Sequence, residues 1–269
     1  MIDKKIGIIG FGNMGEAIAA RLRSRMSKPG KLLMVADVDK AKLKKARDRY
    51  KVLVADSNKK LASFSDVLII AVKPKDFEAL LREIAPFLSK AKFVISIAAG
   101  ITTRYIEKRL GKVAVVRAMP NMPAVIGEAI SSISGGSFAT KADMKMARDI
   151  FSSIGEVVEV DEKFVDSVTA VSGSGPAYFF YLMESLIEAA MALGIDEAKA
   201  KTLVFKTALG GAKLAEALGL HPGNLRAKVT SKGGTTEAAL GVLESEGFKA
   251  MVKRAVTAAR DRSRELSKS

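Results

Sequence analysis

The sequence predicts an α/β fold in which a doubly wound, mostly parallel sheet is followed by an all-helical region. Over residues 1–160, short β-rich segments alternate with helical segments, which is typical of a parallel sheet covered by helices on both faces. After about residue 162 no strand-like segment follows, and helical periodicity dominates. A chain of 269 residues is also longer than most single domains. We therefore predict two domains, residues 1–160 and residues 161–269.

Eight segments of the first domain are predicted as strands because they are rich in β-branched and other apolar residues. They are Lys5–Ile9, Leu32–Ala36, Val52–Val54, Val67–Val72, Phe93–Ile97, Ala114–Ala118, Ala129–Ser134 and Val157–Val160. The segment from Val67 to Val72 is continuously apolar, as expected for a strand buried on both faces. Helices are predicted between the strands, for example at Glu16–Arg25, Lys40–Tyr50 and Phe77–Leu88.

The second domain is predicted to contain a long buried helix over Ala177–Leu193. Pro176 suits its first turn and Gly194 suits its end. The helix is apolar nearly all round, but Glu184, Glu188 and its short length argue against a membrane span. About a hundred residues of helix do not easily enclose such an element. We therefore expect a homodimer, or a larger oligomer built from it, in which helices of a second subunit complete the burial.

Composition excludes several classes of site. The chain has no Cys, which rules out disulfides and thiolate chemistry, and its single His, His221, rules out a multi-His metal site. We predict no metal. The formal net charge of +15 comes from Lys and Arg scattered over helical segments without a nucleic-acid motif, so we expect no nucleic-acid or membrane binding. The N-terminal residues resemble a strand rather than a signal peptide, and we expect a cytoplasmic protein.

A glycine motif follows the first predicted strand and precedes the first helix. It has the form Gly10-x-Gly12-x-x-Gly15. In this context Gly10 allows a tight turn, Gly12 lets a pyrophosphate approach the backbone, and Gly15 lets the helix pack against the strand. The motif therefore predicts a Rossmann-like dinucleotide site, in preference to a glycine-rich turn without a ligand.

Asp37 lies at the end of the second predicted strand. Its carboxylate is placed to accept hydrogen bonds from the adenosine ribose, which favours NADH. Lys40 and Lys42 lie close enough in sequence to offset its repulsion of a 2′-phosphate, so the choice between NADPH and NADH stays open. An alternative role for Asp37 is to cap the helix Lys40–Tyr50. Farther along, Ala71–Pro74 is expected to cross the carboxyl edge of the sheet near the cofactor.

The stretch Val229–Glu237 combines four hydroxyl side chains with two adjacent glycines just before an apolar helical segment. Glycines permit positive φ, so successive N–H groups can turn toward one point, and a helix start adds unpaired donors. A helix cap needs one hydroxyl, whereas Ser231, Thr235 and Thr236 all lie in this stretch. We therefore interpret residues 229–237 as an anion-binding loop, with a simple helix cap as the alternative.

Five segments spread over nearly the whole chain together match the pattern of one enzyme family. They are Ile8–Gly15, Ala71–Pro74, Met119–Ala124, Ser172–Tyr178 and Val229–Thr236. In these segments the chain resembles the pyrroline-5-carboxylate reductases, which reduce a cyclic imine to L-proline with NADPH or NADH in the last step of proline synthesis. The resemblance implies a Rossmann domain, a C-terminal helical dimerisation domain and an active site between them.

The resemblance also implies roles for individual residues. Thr236 resembles the catalytic hydroxyl that meets the ring nitrogen, Asn58 an adenosine-side contact, and Lys73 part of the nicotinamide-side wall. The residues expected to bind the small imino-acid substrate are Ser231, Gly234, Thr235 and Thr236. Those expected to bind the cofactor are Gly10, Phe11, Gly12, Asn13, Met14, Gly15, Asp37, Asn58, Ala71, Val72, Lys73, Pro74 and Ala98.

The chain departs from the family pattern at four positions. Lys232 replaces the proline of a usual Ser-Pro-Gly-Gly sequence, which either loosens the loop or adds positive charge beside the substrate carboxylate. Gly219 stands where an acidic residue is common, and Ala227 and Lys228 stand where an acid and an amide are common.

Three other functions are open to the sequence. One is a β-hydroxyacid dehydrogenase-like enzyme, whose relatives resemble one another in having a Lys four residues after a Gly-rich helix start. Here no Lys follows Ser174–Tyr178 before Lys199, which favours an imine as substrate. Reduction of another imine is the second alternative. The third is a dinucleotide-binding regulator without turnover, against which the hydroxyl-rich loop argues.

Overall fold

The computed structural model describes residues 1–89 and 92–266, and the chain forms two compact units. Unit 1 comprises Met1–Ser174 together with Ala259–Ser269, and unit 2 comprises Gly175–Ala258. The predicted domain boundary between residues 160 and 161 stays a prediction.

Unit 1 is built on a sheet of eight strands, one for each strand that the sequence predicts. The strands are β1 (Ile6–Ile9), β2 (Leu33–Ala36), β3 (Leu53–Val54), β4 (Val67–Ile70), β5 (Phe93–Ser96), β6 (Ala114–Met119), β7 (Ala129–Gly135) and β8 (Gly155–Glu159). Their spatial order is β3-β2-β1-β4-β5-β6-β7-β8. The predicted fold class, a Rossmann-like sheet followed by helices, is confirmed.

One pair of neighbouring strands, β6 and β7, is antiparallel, while all other pairs are parallel. Parallel neighbours need a crossover of about a dozen residues or more, usually helical. Only a short 3₁₀ turn over Met122–Val125 interrupts the connection between β6 and β7, so the chain reverses direction.

Hydrophobic cores lie on both faces of the sheet because side chains alternate along each strand. In β4, Val67 and Ile69 pack into one core, while Leu68 and Ile70 pack into the other. All four are buried, which explains the unbroken apolar sequence. The predicted continuation of this strand to Val72 is wrong, because the chain turns away after Ile70.

The helices of unit 1 cover these two cores. They are α1 (Asn13–Leu22), α2 (Pro29–Leu32), α3 (Lys40–Tyr50), α4 (Asn58–Phe64), α5 (Pro74–Ile84), α6 (Thr103–Leu110), α7 (Lys141–Phe151) and α8 (Val165–Val168). The three helices named from the sequence are present, although the first and third end in 3₁₀ turns at Arg23–Arg25 and Ala85–Phe87. A further 3₁₀ turn, Glu162–Phe164, precedes α8, and a π-helical turn, Thr169–Gly173, follows it.

Unit 2 is entirely helical in its described residues, as predicted. It contains α9 (Gly175–Ala192), α10 (Glu197–Leu218), α11 (Pro222–Lys228), α12 (Thr235–Ser245) and most of α13 (Phe248–Leu266). Gly219 ends α10 in the left-handed conformation, with φ +60°, which accounts for glycine at this position.

Within a single chain, α9 leaves its aromatic residues uncovered. Phe179, Phe180 and Tyr181 are 63%, 60% and 72% exposed. Of the residues in α9, only Gly175 is buried. Such a helix is too apolar to face water along most of its surface, so this chain alone does not complete the burial of α9.

Glu16 joins two helices of unit 1. From α1 it accepts hydrogen bonds from Lys45 Nζ (2.8 Å) and Tyr50 Oη (2.6 Å), both on α3. Partial burial acts to raise the pKa of Glu16, but the bonds from Lys45 and Tyr50 outweigh it, and the pKa lies below its usual 4.5. The ring of Tyr50 also contacts Phe11 edge-on, with centroids 6.1 Å apart, so this network supports the residues after β1.

We expect Glu16→Gln to lower the free energy of unfolding by about 1–2 kcal/mol at neutral pH, because a charge-assisted pair of hydrogen bonds is lost. A carboxylate with a lowered folded pKa stabilises the fold above its unfolded pKa, and this contribution is lost as the pH falls. The difference between wild type and variant should therefore shrink below about pH 4.5. Urea unfolding at several pH values measures it.

Asp56→Asn is the control for this measurement, because its ion pair with Lys60 is exposed. Its unfolding midpoint should stay close to that of the wild type. A Glu16→Gln protein as stable as the wild type at pH 7 would contradict the assigned role of Glu16.

Candidate active site

The carboxyl ends of β1 and β4 form the crevice in which open α/β sheets bind ligands. β1 lies between β2 and β4, so the strand order reverses at this point. The end of β1 is hydrogen-bonded to both neighbouring strands. Gly10 N donates to Ala36 O at the end of β2, and Ala71 N, just after β4, donates to Ile9 O, both at 2.8 Å. The expected cofactor residues Ala71, Val72, Lys73 and Pro74 follow from there.

Glycine occupies the three positions of the motif for different reasons. Gly10 has φ +97°, and a Cβ there would lie 2.6 Å from Ala71 O. A Cβ on Gly15 would lie 2.0 Å from Gly10 O. Both positions therefore require glycine for the turn and for packing. A Cβ on Gly12 would have no described atom within 4 Å, so protein packing does not account for this glycine. The role expected for Gly12, to let a pyrophosphate approach the backbone, stays a prediction.

The N-terminus of α1 adds hydrogen-bond donors beside Gly12. Gly12 is the N-cap residue, and Glu16 N donates to Gly12 O at 2.8 Å in the first turn of the helix. The preceding N–H groups, of Asn13, Met14 and Gly15, have no acceptor inside a helix. No side chain caps α1 in the described part of the chain. An open backbone position beside unpaired donors fits a pyrophosphate.

Asp37 supports the glycine loop directly. Its Oδ2 accepts a hydrogen bond from Phe11 N at 2.6 Å, and its Oδ1 accepts one from Asp39 N at 2.8 Å. The side chain is 8% exposed, with Lys42 Nζ at 3.9 Å. The alternative that Asp37 caps the following helix is wrong, because Asp39 caps α3 through the N–H groups of Ala41 and Lys42. The contact between Asp37 and a ribose stays a prediction.

The other expected cofactor residues follow the carboxyl ends of β3, β4 and β5. Asn58 is the first residue of α4, where its Nδ2 donates to Glu83 Oε2 at 2.9 Å. Lys73 and Pro74 open α5, with Lys73 exposed as the N-cap. Ala98 is buried just after β5. In a parallel sheet these positions share one edge, so the fold brings the predicted cofactor residues to the same crevice.

The anion-binding loop, residues 229–237, lies in unit 2 before α12. Gly234 is the N-cap of α12, and no side chain caps this helix. Within the described residues, the hydroxyls of Ser231, Thr235 and Thr236 make no hydrogen bond. The alternative of a simple hydroxyl cap is therefore wrong. Three uncommitted hydroxyls at a helix N-terminus suit an anionic ligand with further polar groups.

Hydrogen bonds within the loop fix its backbone. Gly234 N donates to Ser231 O at 3.0 Å, and Gly233, with φ +73°, donates its N–H to Glu237 Oε2 at 2.7 Å. No role for Glu237 is predicted from the sequence. The available signal was its spacing, since a Glu three residues after a helix N-cap is the arrangement of a capping box.

Asn121, in the segment Met119–Ala124, is hydrogen-bonded to Ser172, where another segment that resembles the family begins. Its Oδ1 accepts from Ile130 N at 3.0 Å, and its Nδ2 donates to Ser172 O at 3.1 Å. Because the side chain is nearly buried and bonded at both ends, its function is to position the turn that contains Ser172.

Two features are absent from residues 1–89 and 92–266. No cluster of three or more His, Cys, Asp or Glu side chains is arranged to hold a metal ion there. None of the helices in that part of the chain is both long and apolar enough to cross a bilayer.

Two protein-family models match the chain. The model for pyrroline-5-carboxylate reductase dimerisation matches residues 162–266, and the model for coenzyme F420-dependent NADP oxidoreductases matches residues 5–100. The first match covers the helices of unit 2, and the second covers strands β1 to β5 of unit 1.

Full-length relatives and solved structures are also similar. Pyrroline-5-carboxylate reductases of Synechocystis sp. and Methanosarcina acetivorans are each 39% identical, covering 98% and 100% of both chains. The structure of a pyrroline-5-carboxylate reductase from Coxiella burnetii matches with a TM-score of 0.92 at 36% identity over 100% of both chains. The Plasmodium falciparum enzyme with NADP bound matches with a TM-score of 0.89 at 31% identity over 99% of both. The chain therefore belongs to the pyrroline-5-carboxylate reductase family.

Proposed function

We propose that the protein reduces L-1-pyrroline-5-carboxylate to L-proline with NADPH or NADH, the final step of proline biosynthesis. The observation that carries this proposal is the anion-binding loop, in which the hydroxyls of Ser231, Thr235 and Thr236 have no structural use in the described chain. The substrate is a cyclic imine with one carboxylate, and this loop offers groups for both features. Family membership over the full length of the chain supports the same reaction.

The substrate carboxylate is bound by donors of the loop. The N–H groups of Thr235 and Thr236 belong to the first turn of α12 and have no helical acceptor. Together with the Ser231 hydroxyl, which lies directly against Gly234, they surround the positive end of the helix dipole. Holding the ring at its carboxylate fixes the C=N carbon, and such positioning supplies roughly 7–11 kcal/mol of rate acceleration in favourable cases.

Thr236 acts at the ring nitrogen. When bound, the reduced nicotinamide supplies a hydride to the C=N carbon, and the nitrogen finishes with a proton and two single bonds. The Thr236 hydroxyl hydrogen-bonds that nitrogen while its charge changes. The imine can enter already protonated, so the chain needs no strong acid or base, in accord with a sequence that has one His and no Cys.

The glycine loop and its neighbours bind the dinucleotide. We assign Gly12 and the N–H groups at the start of α1 to the pyrophosphate, because the position is open and no side chain caps the helix. We assign Asp37 to the adenosine ribose, Asn58 to the adenosine side, and Ala71–Pro74 with Ala98 to the nicotinamide side. These assignments rest on the carboxyl edge that they share.

Homodimers form through the helices of unit 2 in this proposal. The exposed aromatic residues of α9 provide the apolar surface, and the match of residues 162–266 to a dimerisation model supports this use. We propose that the substrate and dimerisation domain begins at residue 161, one residue before the start of that match.

Thr236→Ala should reduce kcat by roughly 100-fold, because a hydrogen bond that strengthens in the transition state is lost. The dissociation constant for NADPH should change little. Stopped-flow absorbance of the reduced cofactor and equilibrium fluorescence measure the two quantities. Thr202→Ala is the control, since the Thr202 hydroxyl only bonds Ala198 O within α10. Unchanged turnover in Thr236→Ala would refute the role of Thr236.

Gly12→Val should weaken binding of NADPH and NADH by at least about tenfold, because the added side chain takes the space of the pyrophosphate. The melting temperature should be unchanged, since a Cβ there meets no described atom within 4 Å. Gly15→Val should instead prevent stable folding, since its Cβ would overlap Gly10 O. Calorimetric titration and thermal unfolding distinguish the two variants, and full cofactor affinity in Gly12→Val would place the pyrophosphate elsewhere.

NADH should bind at least as well as NADPH, because the Asp37 carboxylate repels a 2′-phosphate. Lys42→Met removes the cation 3.9 Å from Asp37 and should weaken NADPH binding more than NADH binding. Fluorescence titration with both reduced cofactors measures the ratio. Clearly tighter binding of NADPH by the wild type would overturn the role given to Asp37.

A further inference from the structure

Among the described residues, the Glu237 side chain makes one hydrogen bond, and its partner is Gly233 in the same anion-binding loop. Its Oε2 accepts the hydrogen bond from Gly233 N at 2.7 Å. Within the described residues Glu237 forms no ion pair with Lys or Arg, so this contact accounts for its orientation. At the third position of α12 its charge also interacts favourably with the helix dipole.

The loop has little else to restrain it at this point. Gly233 and Gly234 are adjacent, and glycine loses more conformational freedom on ordering than any other residue. The preceding residue is Lys232, whose φ is free, whereas a proline there would fix φ near −65°. Thr230 is bonded to the preceding helix through Ala227 O and Arg226 O, and Gly234 N closes a turn on Ser231 O. Between these points, the hydrogen bond that holds the described backbone is the one from Gly233 N to Glu237.

We propose that Glu237 is a positioning residue that ties the Gly233 N–H to α12 and so compensates for the missing proline at position 232. This inference rests on the proposed function, since the loop that it orders is the one that binds the substrate carboxylate. Glu237 takes up the N–H of Gly233 alone. The donors of Thr235 and Thr236 stay available, and a preordered loop binds its ligand more tightly because less freedom is lost on binding.

Negative charge on Glu237 opposes the binding of an anion, and Lys232 in the same loop offsets it. The two residues therefore act as a pair in this chain: the carboxylate supplies order and the ammonium supplies attraction. Glutamine at 237 retains an oxygen that can accept from Gly233 N, whereas leucine retains only the bulk. These two substitutions separate the hydrogen bond from the rest of the side chain.

The experiment compares Glu237→Leu, Glu237→Gln and the double variant Lys232→Pro/Glu237→Leu with the wild type. Glu237→Leu should raise KM for pyrroline-5-carboxylate by about five- to tenfold with a smaller change in kcat, as expected for loss of a charge-assisted hydrogen bond and of preorganisation. Glu237→Gln should stay within about twofold of wild type. In the double variant, proline should recover most of the lost KM, and KM for NADPH should be constant throughout.

Hydrogen exchange of a peptide spanning residues 230–237 gives a second readout without turnover. Exchange should accelerate in Glu237→Leu and return toward the wild-type rate in the double variant. Glu246→Leu, which removes an exposed carboxylate beyond the end of α12, is the matched control and should affect neither readout.

Wild-type KM and wild-type exchange in Glu237→Leu would overturn the proposal, and so would a double variant as impaired as Glu237→Leu. A wild-type protein that does not reduce pyrroline-5-carboxylate would instead refute the proposed function, while the exchange measurement would still decide whether Glu237 orders the loop.

Discussion

The nucleotide crevice depends on close backbone contact between the turn after β1 and its neighbours. Gly10 lies against Ala71, and Gly15 lies against the Gly10 carbonyl, each too closely to admit a side chain. Asp37 then fixes the same turn from the β2 side through Phe11 N. With the turn held on both sides, the N–H groups of α1 keep one direction, and the open position at Gly12 is preserved.

Most of the fold could be predicted from the sequence because local patterns encode it. All eight strands were predictable from apolar, β-branched segments, and the helices α3 and α9 from their periodicity and stop signals. The helices α4, α6 and α7 were not named in advance. α4 and α6 are short, with seven and eight residues, whereas α7 is as long as α3. The reversal at β7 was not anticipated either, since it depends on the length of a connection rather than on composition.

The candidate site was predictable in its residue types but less so in its contacts. The glycine motif and the hydroxyls of the anion-binding loop are contiguous in sequence, so their patterns are visible without a structure. The bond from Phe11 to Asp37 joins residues far apart in the chain, and no local pattern reports it. Glu237 is the intermediate case, because its spacing indicates a bond to a helix start without showing which N–H it accepts.

The uncovered aromatic residues of α9 link folding to association. Their burial by other protein surface contributes to the stability of the native state only when that surface is present. In the proposed homodimer, dilution therefore weakens the fold itself, and the midpoint of thermal denaturation rises with protein concentration. Under that proposal, meeting a second copy is part of reaching the native state for a newly made chain.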